Sequence, residues 1–123
     1  MPSSDPLKVL VVEDEFMIGM EVRTTLQTAG YEVLGPVATV AAALKLLAQS
    51  APDAAVLDYG LRAETSTPIA EALRNQNVPF LVSSAYKKET FQSLQAFNGI
   101  LHVGKPVQEK ELLSALSSIL RPS

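Results

Sequence analysis

The feature that most constrains the fold of this chain is a set of short apolar runs, each of which ends at a reactive polar side chain. Four such runs end, in chain order, at Glu13-Asp14, Asp58, Ser83-Ser84 and Lys105-Pro106. Apolar runs of this length are typical of strands that are buried on both faces of a parallel sheet. Parallel strands collect their functional groups at their carboxyl ends. The sequence therefore predicts one sheet edge that carries acids, a hydroxyl and a lysine.

Strand and helix patterns alternate along the rest of the chain. We predict strands over 7–12, 31–37, 54–57, 79–83 and 100–103, and helices over 15–29, 40–48, 68–75, 88–97 and 108–120. The helix over 88–97 has a thin apolar stripe and is expected to be irregular, while 60–67 is polar and is predicted to be a loop. This alternation predicts an α/β fold, a doubly wound five-stranded parallel sheet of order 2-1-3-4-5 with helices on both faces.

Length and composition narrow the class of protein. The 123 residues fit one domain, which we place at 7–120, with a disordered lead-in at 1–6 and a short tail at 121–123, and we expect no output domain. The chain has no cysteine, which excludes disulfides and thiolate metal sites and suits a cytoplasmic protein. No apolar stretch approaches the ~20 residues of a membrane span. A net charge of −3 without a basic stripe argues against nucleic-acid binding.

The acids at the strand ends suggest a metal site. Glu13 and Asp14 follow the first strand and Asp58 follows the third, and these strands are neighbours in the predicted order. Carboxylates that face each other repel unless a cation lies between them, and a hard divalent ion such as Mg²⁺ prefers oxygen ligands. An alternative remains open, since Asp14 alone would also be a suitable N-cap for the helix after the first strand.

The same edge offers a nucleophile and charge-stabilising groups. A carboxylate such as that of Asp58 can attack phosphorus to give an acyl phosphate, and the charge that develops must be met by cations and donors. Lys105 supplies an ammonium and Ser84 a hydroxyl, and a cis bond before Pro106 would aim the lysine inward. Taken singly, Ser84 fits a polar strand end and Lys105 a solvated loop charge better than a functional role, and only the joint pattern is specific.

Together these residues closely resemble the receiver domain of two-component response regulators over residues 7–120. The matching motifs are Val-Leu-Val-Val-Glu-Asp-Glu at 9–15, Ala-Val-Leu-Asp at 55–58, Ser-Ala-Tyr at 84–86 and Lys-Pro at 105–106. The resemblance implies a flavodoxin-like fold and phosphorylation of Asp58 by a histidine kinase or phosphotransfer protein. It also implies Mg²⁺ ligation by Asp14, Asp58, the Gly60 carbonyl and, through water, Glu13. Ser84 would be the switch hydroxyl, and Lys105 would pair with the phosphoryl group.

Some positions depart from the usual receiver pattern. His102 stands three residues before the lysine, where receivers carry the Tyr or Phe of the switch. One interpretation is a switch residue whose signalling varies with pH, and the other is a partly exposed strand residue without a special role. Tyr86 stands where receivers control access of the hydrolytic water, and Gly60 offers no side chain to orient that water. Arg62 replaces a common proline.

The segment from Pro79 to Tyr86 resembles the Pro-Phe-x-Phe-Ala-Thr-Gly-Tyr signature of a receiver subgroup. That subgroup is associated with stand-alone receivers and with HWE-type histidine kinases. We therefore expect a stand-alone receiver that signals by conformational change or serves as a phosphate sink or relay, and that is not an enzyme beyond slow autodephosphorylation.

Two other functions are weighed against this one. An interaction module that is never phosphorylated would not need the acids, Ser84 and Lys105 together. An aspartyl-nucleophile phosphatase of the haloacid-dehalogenase type needs Asp-x-Asp after the first strand, where this chain has Asp14-Glu15-Phe16.

Overall fold

The structure of the chain, a computed structural model, describes residues 5–120. The strands are β1 (Lys8–Val12), β2 (Glu32–Val37), β3 (Ala54–Leu57), β4 (Gly60–Leu61), β5 (Glu64–Thr65), β6 (Phe80–Ser84) and β7 (His102–Gly104). The helices are α1 (Phe16–Thr28), α2 (Val40–Gln49), α3 (Thr67–Asn75) and α4 (Glu109–Leu120). The predicted tail at 121–123, and all but two residues of the predicted lead-in at 1–6, lie outside the described residues. Within residues 5–120, no helix combines the length and apolar character that a membrane span requires.

Five of the strands form one sheet in the order β2-β1-β3-β6-β7, and every neighbouring pair in it is parallel. The short strands β4 and β5 pair separately as an antiparallel hairpin. Because this hairpin comes directly after β3, the strands β6 and β7 are the fourth and fifth strands of the main sheet. The predicted order 2-1-3-4-5 is therefore confirmed.

Both faces of the sheet are covered, as the continuous apolar runs predicted. Alternate residues of β1 point to opposite sides, so Val9 and Val11 pack in a cluster with α1 and α4. Leu10 and Val12 pack in a second cluster with α2 and α3. All four side chains are almost inaccessible to solvent. β1 is thus a central strand, and the acids at its carboxyl end are held on a rigid base.

Two segments differ from the sequence-based expectation. The polar stretch predicted as a loop contains the β4–β5 hairpin. No α-helix forms over 88–97, where the segment makes two 3-10 turns, Lys88–Thr90 and Gln95–Phe97, so the irregularity expected for the fourth helix is confirmed. The apolar residues Phe91, Leu94 and Phe97 recur every third residue, which is the period of a 3-10 helix and drifts around an α-helix.

Candidate functional site

The parallel register places the acids of β1 and β3 side by side. Val12 pairs with Leu57, so the next residues of both strands leave the sheet at the same edge. The backbone N–H of Asp58 donates to the carbonyl of Val12 at 2.9 Å, and that of Glu13 donates to the carbonyl of Val37 at 2.9 Å. Backbone hydrogen bonds therefore fix the carboxylates relative to each other before any side chain interacts.

Lys105 reaches the acids from β7, the strand at one end of the sheet. β6 and β7 are in register at Ser84 and Gly104, and the lysine is the residue after Gly104. Its Nζ donates to Glu13 Oε1 at 2.5 Å and to Asp58 Oδ2 at 2.8 Å. The Lys105–Pro106 peptide bond is cis. The interpretation of Lys105 as a solvated loop charge does not fit, because its side chain is 12% exposed and bridges two buried acids.

Three carboxylates form a compact oxygen cluster. One oxygen from each of Glu13, Asp14 and Asp58 lies within 4.8 Å of the others. Glu13 and Asp58 are buried, and Asp14 is partly buried. The residue at the N-cap of α1 is Glu15, so Asp14 does not have the capping position that the sequence left open. Clustered carboxylate oxygens are the donors that a hard divalent cation such as Mg²⁺ requires, and the residues fit that ion.

Burial, hydrogen bonds and neighbouring charges shift the pKa values of two groups in the cluster. Burial raises the pKa of the Glu13 carboxyl, and the nearby Asp58 charge adds to this, although hydrogen bonds from Lys105 and the Glu15 N–H act in the opposite direction. Burial by itself lowers the pKa of Lys105, but its hydrogen bonds to Asp58 and Glu13 and their negative charges outweigh burial, so the pKa is raised. Lys105 therefore remains an ammonium at neutral pH.

A cavity of about 470 Å³ opens above the cluster. Asp14, Asp58, Gly60 and Lys105 line it, together with groups from the hairpin and from the turn after β6. The ring of Tyr86 occupies the space beside Gly60, where an added β-carbon would lie 2.7 Å from Cε2 of the tyrosine. Solvent-sized molecules can therefore reach the acids, and the glycine leaves room for the aromatic ring at the rim of the cavity.

Ser84 is at the expected strand end but its hydroxyl is engaged locally. The side chain is 1% exposed, and its Oγ accepts a hydrogen bond from the backbone N–H of Tyr86 at 3.1 Å. Ala85, the next residue, lines the cavity. The imidazole of His102 lies beside the backbone of Ser84, with Nε2 3.3 Å from its carbonyl oxygen. The two residues expected to act in the switch are thus in direct contact.

An aromatic cluster extends from the acids to the segment between β6 and β7. The ring of Tyr59, the residue after Asp58, stacks on Phe91 with centroids 5.1 Å apart. Tyr59 also makes edge contacts with Tyr86 and Phe97, at 5.7 and 5.4 Å. The position of Tyr59 and Phe91 between the site and the 3-10 turns is apparent only in the folded chain.

Two further contacts of the β4–β5 hairpin were not predicted. Arg62 Nε lies 3.8 Å from Asp14 Oδ2. Glu64 Oε2 accepts a hydrogen bond from the backbone N–H of Val40 at 3.0 Å, at the start of α2. The sequence signal for this hairpin is the two-residue spacing between Leu61 and Glu64, which is compatible with a tight turn.

These features define a class before any relative is considered: an α/β protein with a doubly wound parallel sheet and an acid–lysine cluster at its carboxyl edge. The sequence matches the response regulator receiver domain family over residues 9–117. The chain therefore belongs to the receiver family of two-component response regulators, and the resemblance seen in the sequence is confirmed.

Individual relatives agree with this assignment. The sensory transduction protein LytT of Bacillus cereus is 33% identical over 113 residues, which cover 89% of this chain and 46% of that protein. The solution structure of SdrG from Sphingomonas melonis Fr1 has a TM-score of 0.82 and 33% identity, covering 97% of this chain and 100% of that one. The signal receiver domain of a modulated diguanylate cyclase from Desulfovibrio desulfuricans G20 has a TM-score of 0.83 and 28% identity, with 94% of each chain covered.

The chain spans about half the length of the curated relatives it matches. Receiver domains are phosphoacceptor signalling modules that interact with histidine kinases or phosphotransfer proteins, and they bind Mg²⁺ at an acidic pocket. These properties hold for the family, and this chain has an acidic cluster of that kind.

Proposed function

We propose that this receiver accepts a phosphoryl group on Asp58 in a reaction that depends on Mg²⁺. The observation that carries the proposal is the bridge from Lys105 to Glu13 and Asp58 beside a third carboxylate, in a cluster that opens to a solvent-accessible cavity. A structural ion pair would be complete with one acid and one lysine. The three acids outnumber Lys105 and the exposed Arg62 near Asp14, and a divalent cation would neutralise the remaining negative charge.

In this proposal Asp14 and Asp58 ligate Mg²⁺ directly, Glu13 acts largely through water, and the Gly60 carbonyl completes the protein ligands. When bound, the ion neutralises charge on the phosphoryl oxygens. Asp58 supplies the attacking carboxylate oxygen. The new O–P bond forms as the P–N bond of a donor phosphohistidine breaks, and the electron pair of that bond returns to the imidazole nitrogen.

Lys105 and Ser84 would stabilise the product. The ammonium already lies 2.8 Å from Asp58 Oδ2, so it needs little movement to pair with a phosphoryl oxygen. The Ser84 hydroxyl would exchange its bond with the Tyr86 N–H for one to the phosphoryl group, and His102, which contacts the Ser84 backbone, would respond to that movement. Slow autodephosphorylation is part of the proposal, because the Tyr86 ring stands at the rim of the cavity.

Beryllofluoride, which imitates a phosphoryl group on a carboxylate, tests the proposal directly. With Mg²⁺ present, binding should change the fluorescence of Tyr59 and Tyr86, which is measurable because the chain has no tryptophan. Asp58→Asn should abolish the response, and Asp53→Asn, at the opposite end of β3, should not. Acetyl phosphate should add one phosphoryl group per chain in mass spectrometry. A never-phosphorylated module would respond to neither reagent, and a phosphatase would turn over a phosphate ester.

The finer parts of the sequence-based prediction are proposed as well. They are a domain over 7–120, a cytoplasmic location, a stand-alone role and phosphotransfer from an HWE-type kinase or a phosphotransfer protein. The likeness of the segment from Pro79 to Tyr86 to the subgroup signature supports the stand-alone role. Intact mass spectrometry of the protein isolated from its host tests that role, and phosphotransfer profiling with purified kinases tests the partner.

A further inference from the structure

The tip of the β4–β5 hairpin places a second cation at the cavity. Arg62 and Lys105 both line it, and the arginine Nε is 3.8 Å from Asp14 Oδ2. The other charged residues of the lining are Glu15, Glu64, Asp14 and Asp58, all of them acids. Arg62 and Lys105 are therefore the cations among the described residues that face this space.

Two hydrogen bonds anchor the hairpin that carries Arg62. Glu64 accepts a hydrogen bond from the Val40 N–H, and the Ser66 N–H donates to the Tyr59 carbonyl at 2.8 Å. These bonds anchor the hairpin to α2 and to the residue directly after Asp58. The tip therefore stays near the acids even though the Arg62 side chain is 84% exposed.

The backbone conformation of the turn does not favour an arginine. Arg62 is the first residue of the two-residue connection between β4 and β5, and its φ is +46°. Glycine, asparagine and aspartate adopt this left-handed conformation more readily than other residues. The conformation of the turn therefore does not explain the arginine, whereas the position of its side chain at the cavity offers an explanation.

We propose that Arg62 is a second cationic contact for the phosphoryl group on Asp58, and that it rests on Asp14 until that carboxylate ligates Mg²⁺. The inference rests on the proposed function. An exposed ion pair is weak, so the guanidinium leaves Asp14 easily when a divalent ion competes for it. Its planar fork of N–H donors matches the oxygens of a phosphate, whereas an ammonium acts as a point charge.

The test is calorimetric titration of the full chain, first with Mg²⁺ alone and then with beryllofluoride in saturating Mg²⁺. Arg62→Gln should bind Mg²⁺ about twofold more tightly because its competitor is gone. It should bind beryllofluoride about tenfold more weakly because a charge-assisted contact is lost. Arg62→Lys should recover only part of the beryllofluoride affinity. Lys45→Gln, an equal charge change on the exposed side of α2, should match the wild type.

Three outcomes would overturn the inference. In the first, Arg62→Gln binds beryllofluoride as the wild type does. In the second, Arg62→Lys is indistinguishable from the wild type, or Lys45→Gln shifts as Arg62→Gln does, and the effect is then one of net charge. In the third, the wild type itself fails to bind beryllofluoride, which overturns the proposed function together with the inference. Wild-type binding with unaffected Arg62 variants overturns the inference alone.

Discussion

The two connections that begin at the site are built in different ways. After β1 the chain forms α1, a regular helix of 13 residues that buries Val22 and Leu26 against the sheet. After β6 the chain crosses to β7 through two 3-10 turns of three residues each, which are held by the buried rings of Phe91 and Phe97. A regular helix closes its own backbone hydrogen bonds, whereas the second connection depends on aromatic contacts.

This difference divides the site into two halves. The acids follow β1 and β3, two strands in the middle of the sheet. Ser84 comes directly before the irregular connection, and Lys105 comes directly after β7, the strand to which that connection leads. A rigid arrangement of the acids favours metal binding. A region whose packing is easier to alter is better suited to signal a change at the site. We name the segment 85–101 the aromatic crossover.

The largest expected effect comes from removing an anchor of the aromatic crossover. Phe97→Ala should lower the free energy of unfolding by about 3–5 kcal/mol, since the ring is fully buried and its loss leaves a cavity. Leu94→Ala is the matched control, because that side chain is 38% exposed, and it should lose less than about 1 kcal/mol. Urea unfolding measures both. Equal losses would show that the buried ring does not anchor the crossover.

The second prediction concerns Lys105, whose side chain joins the two halves of the site. Lys105→Met should lower the free energy of unfolding by about 3 kcal/mol in metal-free buffer, because Glu13 and Asp58 lose their shared cation while buried. Adding Mg²⁺ should recover part of this loss. Lys110→Met, on the exposed side of α4, serves as the control. A loss that is the same with and without Mg²⁺ would contradict the proposed metal site.

The third prediction compares the halves directly. Backbone amides in the aromatic crossover should exchange with deuterium at least about tenfold faster than those in the interior of α1, because local opening disrupts fewer hydrogen bonds there. Beryllofluoride with Mg²⁺ should slow exchange in the crossover more than in α1. Hydrogen exchange followed by mass spectrometry measures both regions in one experiment. Equal protection in the two regions would remove the distinction between them.

The smallest expected effect concerns the protonation of Glu13. Its pKa is raised above 4.5 in the folded protein, so the stability that the neutral carboxyl contributes is fully present below pH 4.5 and is lost as pH rises through the folded-state value. Glu13→Gln keeps a neutral group at every pH. Its stability relative to wild type should therefore increase from pH 4 to pH 7 in metal-free buffer.

Thermal unfolding at several pH values measures this difference, with Glu15→Gln as the exposed control. A relative stability that falls over the same interval would mean that the pair with Lys105 outweighs burial.

Much of this fold and part of the site can be predicted from sequence. The apolar runs identify buried strands, and the carboxyl ends of parallel strands meet at one edge, so the proximity of Asp14, Asp58 and Lys105 is a consequence of topology. The hairpin was missed because β4 and β5 have two residues each, too few for a periodic pattern. The crossover was predicted as a helix because Phe91 and Phe97 suggest an apolar stripe, and only tertiary contacts decide between the two helical geometries. The direction of the Arg62 side chain depends on the turn and could not be derived from spacing.

The stacking of Tyr59 on Phe91 has a mechanical consequence. Tyr59 is joined by a peptide bond to Asp58, the carboxylate at the centre of the cluster, and its ring forms part of the support beneath the aromatic crossover. A change in the backbone at Asp58 would therefore reach the rings of Phe91 and Phe97 through the single residue Tyr59. Replacing Tyr59 by leucine should therefore weaken the effect of beryllofluoride on hydrogen exchange in the crossover while leaving the carboxylate of Asp58 in place.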